Sequence, residues 1–384
     1  MTDTTLRDVI VLGAGPAGSA AAFTAARAGL RVALIDRHRH PREKLCGGGF
    51  TGRSYRYFHE VFGEEIAPDL IETHTAVELH AHGHALGVLE DIPPIHLAMR
   101  RTLDADMCRR ALEAGAEDVT GQRITGIDPA APSVALADGR VLHARVLIGA
   151  DGVNSEVART LFGQPFDRRH VGFGLEVEAP PAADNPDAPV RIDFGVVRYG
   201  YGWHFPKAVS STVGVGGILS RNPAMKQAMA SYVAEIGRGA DVKVKGQFLP
   251  AGDFRRVPGA GRVLLAGDAA GLVDPFTGEG IALAMKSGQL AAEATVAALA
   301  HSHPDDALPR YRVALRPMHN DLRQAILLRK LVYARPMQRA IVAAFKRPSG
   351  RLRRLTFELL GGEIEYGDLS RAALRRLPGL LLRR

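Results

Sequence analysis

Two stretches of this chain carry side chains that could act on a bound molecule. Cys46 stands two residues after Lys44 and opens directly into Gly47-Gly48-Gly49. A neighbouring ammonium favours a thiolate, and three glycines let backbone come close to a planar ligand. The second stretch alternates Tyr199, Tyr201, Trp203 and Phe205 with Gly200, Gly202 and His204. On a strand this places every aromatic ring on one face, an apolar wall suited to a long hydrocarbon. Other chemistry is set aside. Ser155 lacks a Gly-x-Ser-x-Gly frame and reads as a helix N-cap. Glu78, His80, His82 and His84 recur at period two, but same-face neighbours stand roughly 7 Å apart, so an exposed polar strand face is expected and no metal site.

The elements that position these groups begin at the N-terminus. Arg7 to Leu12 reads as a buried parallel strand, Gly13-Ala14-Gly15-Pro16-Ala17-Gly18 as a tight turn, and Pro16 to Ala28 as a helix closed by Gly29. Val32 to Ile35 is a second strand ending at Asp36. In such a unit the first glycine makes the turn, the second admits a pyrophosphate and the third lets helix and strand touch. The helix N-terminus offers free N–H groups and its positive dipole end, a preference of about 0.3–1 kcal/mol for negative charge. An acid at position 36 suits ribose hydroxyls. Gly13, Gly15, Ala17, Gly18, Asp36 and Arg37 are therefore expected to hold a nucleotide.

Later segments say which nucleotide. Leu147 to Gly152 is a strand ending in Asp151-Gly152; Val263 to Gly271 contains Gly267-Asp268; Asp274 to Gly280 leads through Gly278, Gly280 and Ile281 into a helix. Arg100-Arg101-Thr102-Leu103-Asp104 opens another helix. In this order they resemble the flavoproteins of the para-hydroxybenzoate hydroxylase fold. That resemblance implies FAD, with Arg100, Asp151, Gly267, Asp268, Gly278, Gly280 and Ile281 at the cofactor. Lys44 to Gly49 together with Tyr201-Gly202-Trp203-His204-Phe205-Pro206-Lys207 further resembles the geranylgeranyl reductases, over all but the C-terminal tail. The likeness implies saturation of prenyl carbon–carbon double bonds by reduced FAD, with Lys44, Cys46, Gly47 and Gly48 beside the flavin. Cys46 is the expected proton donor, Tyr201 and Trp203 the expected catalytic wall, and NAD(P)H or a ferredoxin-type protein the electron donor. An aromatic hydroxylase of the same fold and an FAD-retaining binding protein without turnover are the alternatives.

The expected architecture is α/β: a discontinuous Rossmann-like FAD-binding domain (1–70, 100–160 and 255–309), an inserted antiparallel-sheet substrate domain (71–99 and 161–254) and a basic helical region (310–384). At 384 residues and 46% hydrophobic content the chain can bury a large core. Two cysteines, Cys46 and Cys108, cannot build a disulfide framework or a thiolate zinc site. With no signal-peptide pattern and no spanning apolar run, a cytoplasmic location is expected, with peripheral attachment to the inner face of a membrane. Of the net charge of +8, the stretch from Arg310 contributes eighteen basic against five acidic residues, leaving the rest net acidic. There Leu322, Ile326, Leu327 and Leu331 interleave with Arg323, Arg329 and Lys330 at helical spacing. Anionic lipid, rather than nucleic acid, is the partner this tail is expected to meet.

Overall fold

A computed structural model describes residues 6–90, 92–181, 188–334, 337–338, 342–343, 345 and 351–369. The chain opens as β1 (Leu6–Leu12), α1 (Pro16–Arg27) and β2 (Val32–Asp36). Pro16 pre-sets the first helical turn, a run of alanines keeps α1 thin, and Gly29 turns the chain at a positive φ. Next come β3 (Gly49–Phe50), α2 (Gly52–Phe62), β4 (Glu72–His74), β5 (Val77–Ala81), β6 (His84–Leu89), β7 (Ile95–Leu97) and α3 (Arg100–Glu113). Strands β8 (Glu117–Thr120), β9 (Ile124–Asp128), β10 (Ser133–Leu136) and β11 (Val141–Gly149) lead to α4 (Glu156–Phe162). Then follow β12 (Gly172–Ala179), β13 (Val190–Phe194), β14 (Gly200–Pro206), β15 (Ser211–Ile218), α5 (Met225–Ile236) and β16 (Lys245–Leu249). The chain continues through β17 (Gly259–Ala260), β18 (Val263–Leu265), α6 (Ile281–Ala300), α7 (Ala307–Ala314), α8 (Arg316–Val332) and α9 (Arg351–Leu360).

These strands make three sheets. In the first the order is β17-β18-β11-β1-β2-β8, parallel from β18 to β8, with the β9–β10 hairpin appended to β11. The inner parts of its central strands, Val9 to Leu12, Val32 to Ile35, Val146 to Ile148 and Val263 to Leu265, are apolar runs, because α1 and α6 cover one face and further chain covers the other. Strand β1 lies between β2 and β11, the point where the order reverses, and a crevice opens there beyond the strand ends.

The second sheet runs β16-β12-β15-β14-β13-β5-β6 and is antiparallel except for the β5–β13 pair. Helix α5 packs its Met225, Met229, Tyr232 and Val233 on one face of it, leaving the other face toward the crevice. A small sheet, β3-β7-β4, links the two. The period-two row of histidines is broken by a turn: β5 ends at Ala81, His82 adopts a left-handed φ of 53°, and His84 begins β6. His80 therefore pairs with Glu78 at 2.7 Å, whereas the His82 ring lies against Gly195.

The C-terminal helices do not stand apart from the rest. Phe345 and Phe357 join the core formed by β5, β7 and β13, while Ala325, Tyr333, Leu359 and Tyr366 enclose Phe276. Among the described residues no helix is long and apolar enough to cross a membrane.

Candidate active site

The crevice between the first two sheets is one continuous cavity of about 630 Å³, running from Gly13, Gly15 and Asp36 to Tyr201, Trp203 and Phe205. Its nucleotide end is shaped by close backbone packing. Gly13 has φ +104° and a Cβ there would lie 2.3 Å from the Ala150 carbonyl oxygen; one at Gly18 would lie 1.6 Å from the Gly13 carbonyl oxygen. Gly13, Gly15 and Ala17 line the cavity, whereas Gly18 acts from behind by letting α1 meet the turn. Gly15 caps α1 without any side-chain acceptor, so the first N–H groups of the helix face the cavity. Asp36 accepts from the backbone N–H groups of Ala14 and His38, both at 2.8 Å, which ties the glycine turn to the end of β2. Arg37 follows at the rim, its Nε donating to His38.

Asp151 lines the same wall, and its carboxylate caps α4, accepting from Ser155 Oγ at 2.5 Å and from the N–H groups of Glu156 and Val157. Ser155 is itself the N-cap and accepts from Ala158 N–H at 2.8 Å. Gly267 is buried behind the lining with φ +59°, its N–H bonded to Ser287 Oγ, and it turns Asp268 into the cavity. Burial raises the Asp268 carboxyl, opposed by Lys44 and Arg100. Gly278, Gly280 and Ile281 line the opposite side at the start of α6; a Cβ on Gly278, at φ +75°, would stand 3.2 Å from the Tyr201 hydroxyl.

At the far end, three elements converge. The loop before β3 brings Lys44, Cys46, Gly47 and Gly48 into the cavity. Gly48 needs its φ of +88° and its missing side chain, since a Cβ would lie 2.3 Å from the Ala98 carbonyl oxygen; its N–H donates to Cys46 Sγ at 3.4 Å. Gly47 lies flat beneath the wall, where a Cβ would meet Trp203 Nε1 at 3.0 Å and the Phe205 ring at 3.1 Å. Burial lowers the Lys44 ammonium, with Arg100 adding to the effect and Asp268 opposing it. From α3, Arg100 is held by two bonds to Asp104, at 2.6 and 2.8 Å, with Arg42 at 3.2 Å from the same carboxylate.

Strand β14 supplies the wall. Tyr201, Trp203 and Phe205 follow one another along a single face, ring centroids 5.9 and 6.4 Å apart. On the other face, Gly202 leaves room for the Tyr232 ring of α5, and His204 pairs with Ser211. Tyr199 precedes the strand at φ 53° and packs against Tyr333, ring centroids 5.5 Å apart and planes tilted by 36°. The Tyr201 hydroxyl donates to the Thr277 carbonyl, and burial raises its pKa. Trp203 Nε1 is buried with no hydrogen-bond partner among the described residues, a donor facing the loop that carries Cys46.

Sequence reasoning missed the residues that let this wall exist. Gly214 and Gly216 of β15 lie under the indole, where a Cβ would stand 2.3 and 3.2 Å from its ring, and Gly174 of β12 lies at its edge. Glu176, two residues beyond Gly174 on the same face, is only 6% exposed, and its Oε1 accepts the Cys46 N–H at 2.9 Å. The period-two row Gly172, Gly174, Glu176 was the available signal. Arg329, from α8, closes one end by donating to the carbonyls of Ala251 and Pro275 at 3.2 Å. The aligned groups His80, Asp193 and Glu235 could approach one ion, but Arg191 already bonds both carboxylates.

A parallel nucleotide-binding sheet facing a largely antiparallel wall across a glycine-lined crevice defines a flavin-dependent oxidoreductase. Comparisons agree. A family model described as Lycopene cyclase protein matches residues 8–355. Menaquinone reductase of Mycobacterium tuberculosis (strain ATCC 25618 / H37Rv) is 34% identical over 312 residues, covering 74% of this chain and 76% of that one. Geranylgeranyl diphosphate reductase of Rhodobacter capsulatus is 32% identical over 321 residues, 78% and 77% of the two chains. Among solved structures, a geranylgeranyl bacteriochlorophyll reductase-like protein of Thermoplasma acidophilum superposes with a TM-score of 0.77 over 92% of this chain and 96% of that one, at 20% identity. The flavin-dependent brominase Bmp2 gives 0.73 over 93% and 94%, also at 20% identity, which is likeness of fold. The chain belongs to the FAD-dependent flavoproteins that the family model describes and, within them, to the geranylgeranyl reductase family.

Proposed function

We propose that this protein saturates carbon–carbon double bonds of a prenyl chain of the geranylgeranyl type. The observation that carries the reading is the continuity of the cavity from the glycine turn to the aromatic wall: a nucleotide anchored at one end would place its reactive ring toward the aromatic surface at the other. The residues fit FAD. Gly13, Gly15 and Ala17 offer bare backbone and a helix N-terminus to the pyrophosphate, with Asp36 and Arg37 at the adenosine ribose. Asp268, Gly278, Gly280 and Ile281 would flank the chain between pyrophosphate and ring, while Lys44, Cys46, Gly47, Gly48 and Arg100 would hold the ring. Gly18 and Gly267 shape the site from behind, and Asp151 lines its wall. FAD, when bound and reduced, supplies the hydride.

The protein's own part is positioning. An isolated alkene is poorly polarised, so holding it in contact with the cofactor and excluding water carries much of the barrier lowering. Tyr201, Trp203 and Phe205 provide the apolar contact, and Gly174, Gly214 and Gly216 let the indole lie flat against the sheet. Cys46 lines the cavity at the same end. The relatives named menaquinone reductase extend the substrate class to a prenyl chain carried on a quinone.

The test is anaerobic. Purified protein is loaded with FAD and reduced by dithionite, which stands in for an NAD(P)H or ferredoxin-type donor, and then mixed with geranylgeranyl diphosphate or menaquinone. Flavin reoxidation with a gain of two hydrogens per double bond is expected by mass spectrometry. Reoxidation only on admitting oxygen, with an oxygen added to an aromatic compound, would replace this reading by a hydroxylase. FAD held without any turnover would leave a binding protein.

A further inference from the structure

Glu176 is a carboxyl group in a place where folded proteins seldom keep one. It projects from β12 on the cavity side of the second sheet, in line with Gly172 and Gly174, and is 6% exposed. Its Oε1 accepts the Cys46 N–H at 2.9 Å. Its Oε2 has no partner among the described residues, and none of their Lys or Arg nitrogens comes within 4.0 Å of the carboxylate. Across the sheet its neighbours are Gly214 on β15, which has no side chain to cover it, and the exposed Lys245 on β16. The same Gly214 lies under the Trp203 indole, so carboxyl and indole share one wall.

We infer that Glu176, rather than Cys46, supplies the proton for the alkene reduction assigned above, an inference that rests on that reading. Saturating an isolated double bond makes two C–H bonds. One takes the electron pair of the hydride, and the flavin that gave it is oxidised by two electrons. The other is made by the alkene's own π pair and the proton of the Glu176 O–H, which breaks to leave a carboxylate; bulk water restores the proton after product leaves. Oε2 carries no hydrogen bond among the described residues and is free for this, whereas the Lys44 ammonium at the same end already donates to the Leu45 carbonyl at 3.4 Å.

Burial pushes the Glu176 carboxyl up to about 7, against the pull of the Cys46 N–H, Lys207 and Lys44 and with the help of Glu178. Lys207 is fully buried but 3.1 Å from Glu178, so most of its charge is spent there. An acid poised near neutrality both holds its proton and releases it readily.

The experiment uses the full FAD-loaded chain and three variants: E176Q, which can still accept the Cys46 N–H but has no proton to give, E176D and C46S. Single-turnover reoxidation of the reduced enzyme by geranylgeranyl diphosphate is followed from pH 5.5 to 9. In the wild type the rate should fall as pH rises through about 7. E176Q should bind FAD with an unchanged spectrum, react at least about 100-fold more slowly and lose that pH dependence; E176D should recover part of the rate. Independently of turnover, infrared spectra of wild-type protein should show a protonated-carboxyl C=O band that fades over the same pH range and is absent from E176Q. An E176Q variant within threefold of wild type, a loss confined to C46S, or no such band at pH 6 would each overturn the assignment. A wild-type enzyme inert toward every prenyl substrate would overturn the prenyl reading, and the proton donor with it.

Discussion

Single glycines set the distances on which this site depends, and Gly288 shows how their effect can run against ordinary propensity. It sits inside α6, where exchanging glycine for alanine normally stabilises a helix by up to about 1 kcal/mol. Here a Cβ would stand 2.0 Å from the Ala17 carbonyl oxygen, and backbone cannot move aside without parting α1 from α6. Overpacking of that kind costs about 1–3 kcal/mol, so the contact outweighs the propensity. Gly288→Ala is therefore expected to lower the melting temperature of the apoprotein and, because Ala17 opens onto the nucleotide end of the cavity, to weaken FAD retention on gel filtration. A variant at least as stable as wild type would show that the helices can separate at little cost. At this scale the sequence was readable where backbone alone makes the requirement: Gly13, Gly15 and Gly18 announce a phosphate turn, and at Gly13 and Gly18 no side chain could stand. Glu176 was not readable, since its importance comes from a partner 130 residues away at Cys46 and from the missing side chain of Gly214 on the neighbouring strand.

Among the elements, the loop from Asp274 to Gly280 is the one that the C-terminal helices hold against the site. Arg53 of α2, buried at 4% side-chain exposure, donates to Glu279 at 2.9 Å and pairs with Glu365 at 2.9 Å, while Thr51 and Ser54 also donate to Glu279. Tyr366 donates to Asp274 at 2.9 Å, and the Tyr333 hydroxyl donates to the Gly200 carbonyl at the start of the aromatic wall. Removing the cation from such a network leaves buried carboxylates uncompensated, a loss of about 3–5 kcal/mol. Arg53→Met should therefore cost several kcal/mol in urea unfolding, and Arg53→Met combined with Glu279→Met should recover part of it. A single variant indistinguishable from wild type would mean that water reaches Glu279. Strands β1, β2, β11 and β18, α1 and the four central strands of the second sheet follow from local patterns in the sequence, because their residues alternate or cluster as buried strands must; the parallel strand β8 does not. The clamp does not, since a basic, leucine-bearing tail reads as a surface element until it is seen to carry Tyr333 and Tyr366 inward. The β5–β6 hairpin escaped for a related reason: a row of polar residues at period two looks the same whether or not His82 and Gly83 turn the chain.

For the molecule as a whole, helix α8 links the cavity to the outside. Its inner side buries Leu322 and Ala325 and sends Arg329 to the end of the cavity, while its outer side carries Arg316, Arg323, Leu327, Lys330 and Leu331 along one exposed stripe, with Leu327 65% and Leu331 52% exposed. Arg310, Arg312 and the 54% exposed Val313 on α7 extend the same basic and apolar character. The leucines that looked like one apolar face in sequence are thus divided between two. Basic residues close to an anionic bilayer contribute about 1 kcal/mol each and lose it as salt shortens the Debye length; leucines between them can enter the headgroup layer. The protein is expected to float with vesicles of phosphatidylglycerol at low ionic strength, to stay behind with pure phosphatidylcholine, and to be released between about 0.1 and 0.5 M salt, over which the Debye length falls roughly by half. Exchanging Arg323 and Lys330 for Glu should abolish flotation, and exchanging Leu327 and Leu331 for Ser should weaken it while preserving its salt sensitivity. Equal flotation with neutral vesicles, or none at low salt, would instead place this stripe in bulk water and require the substrate to arrive by another carrier.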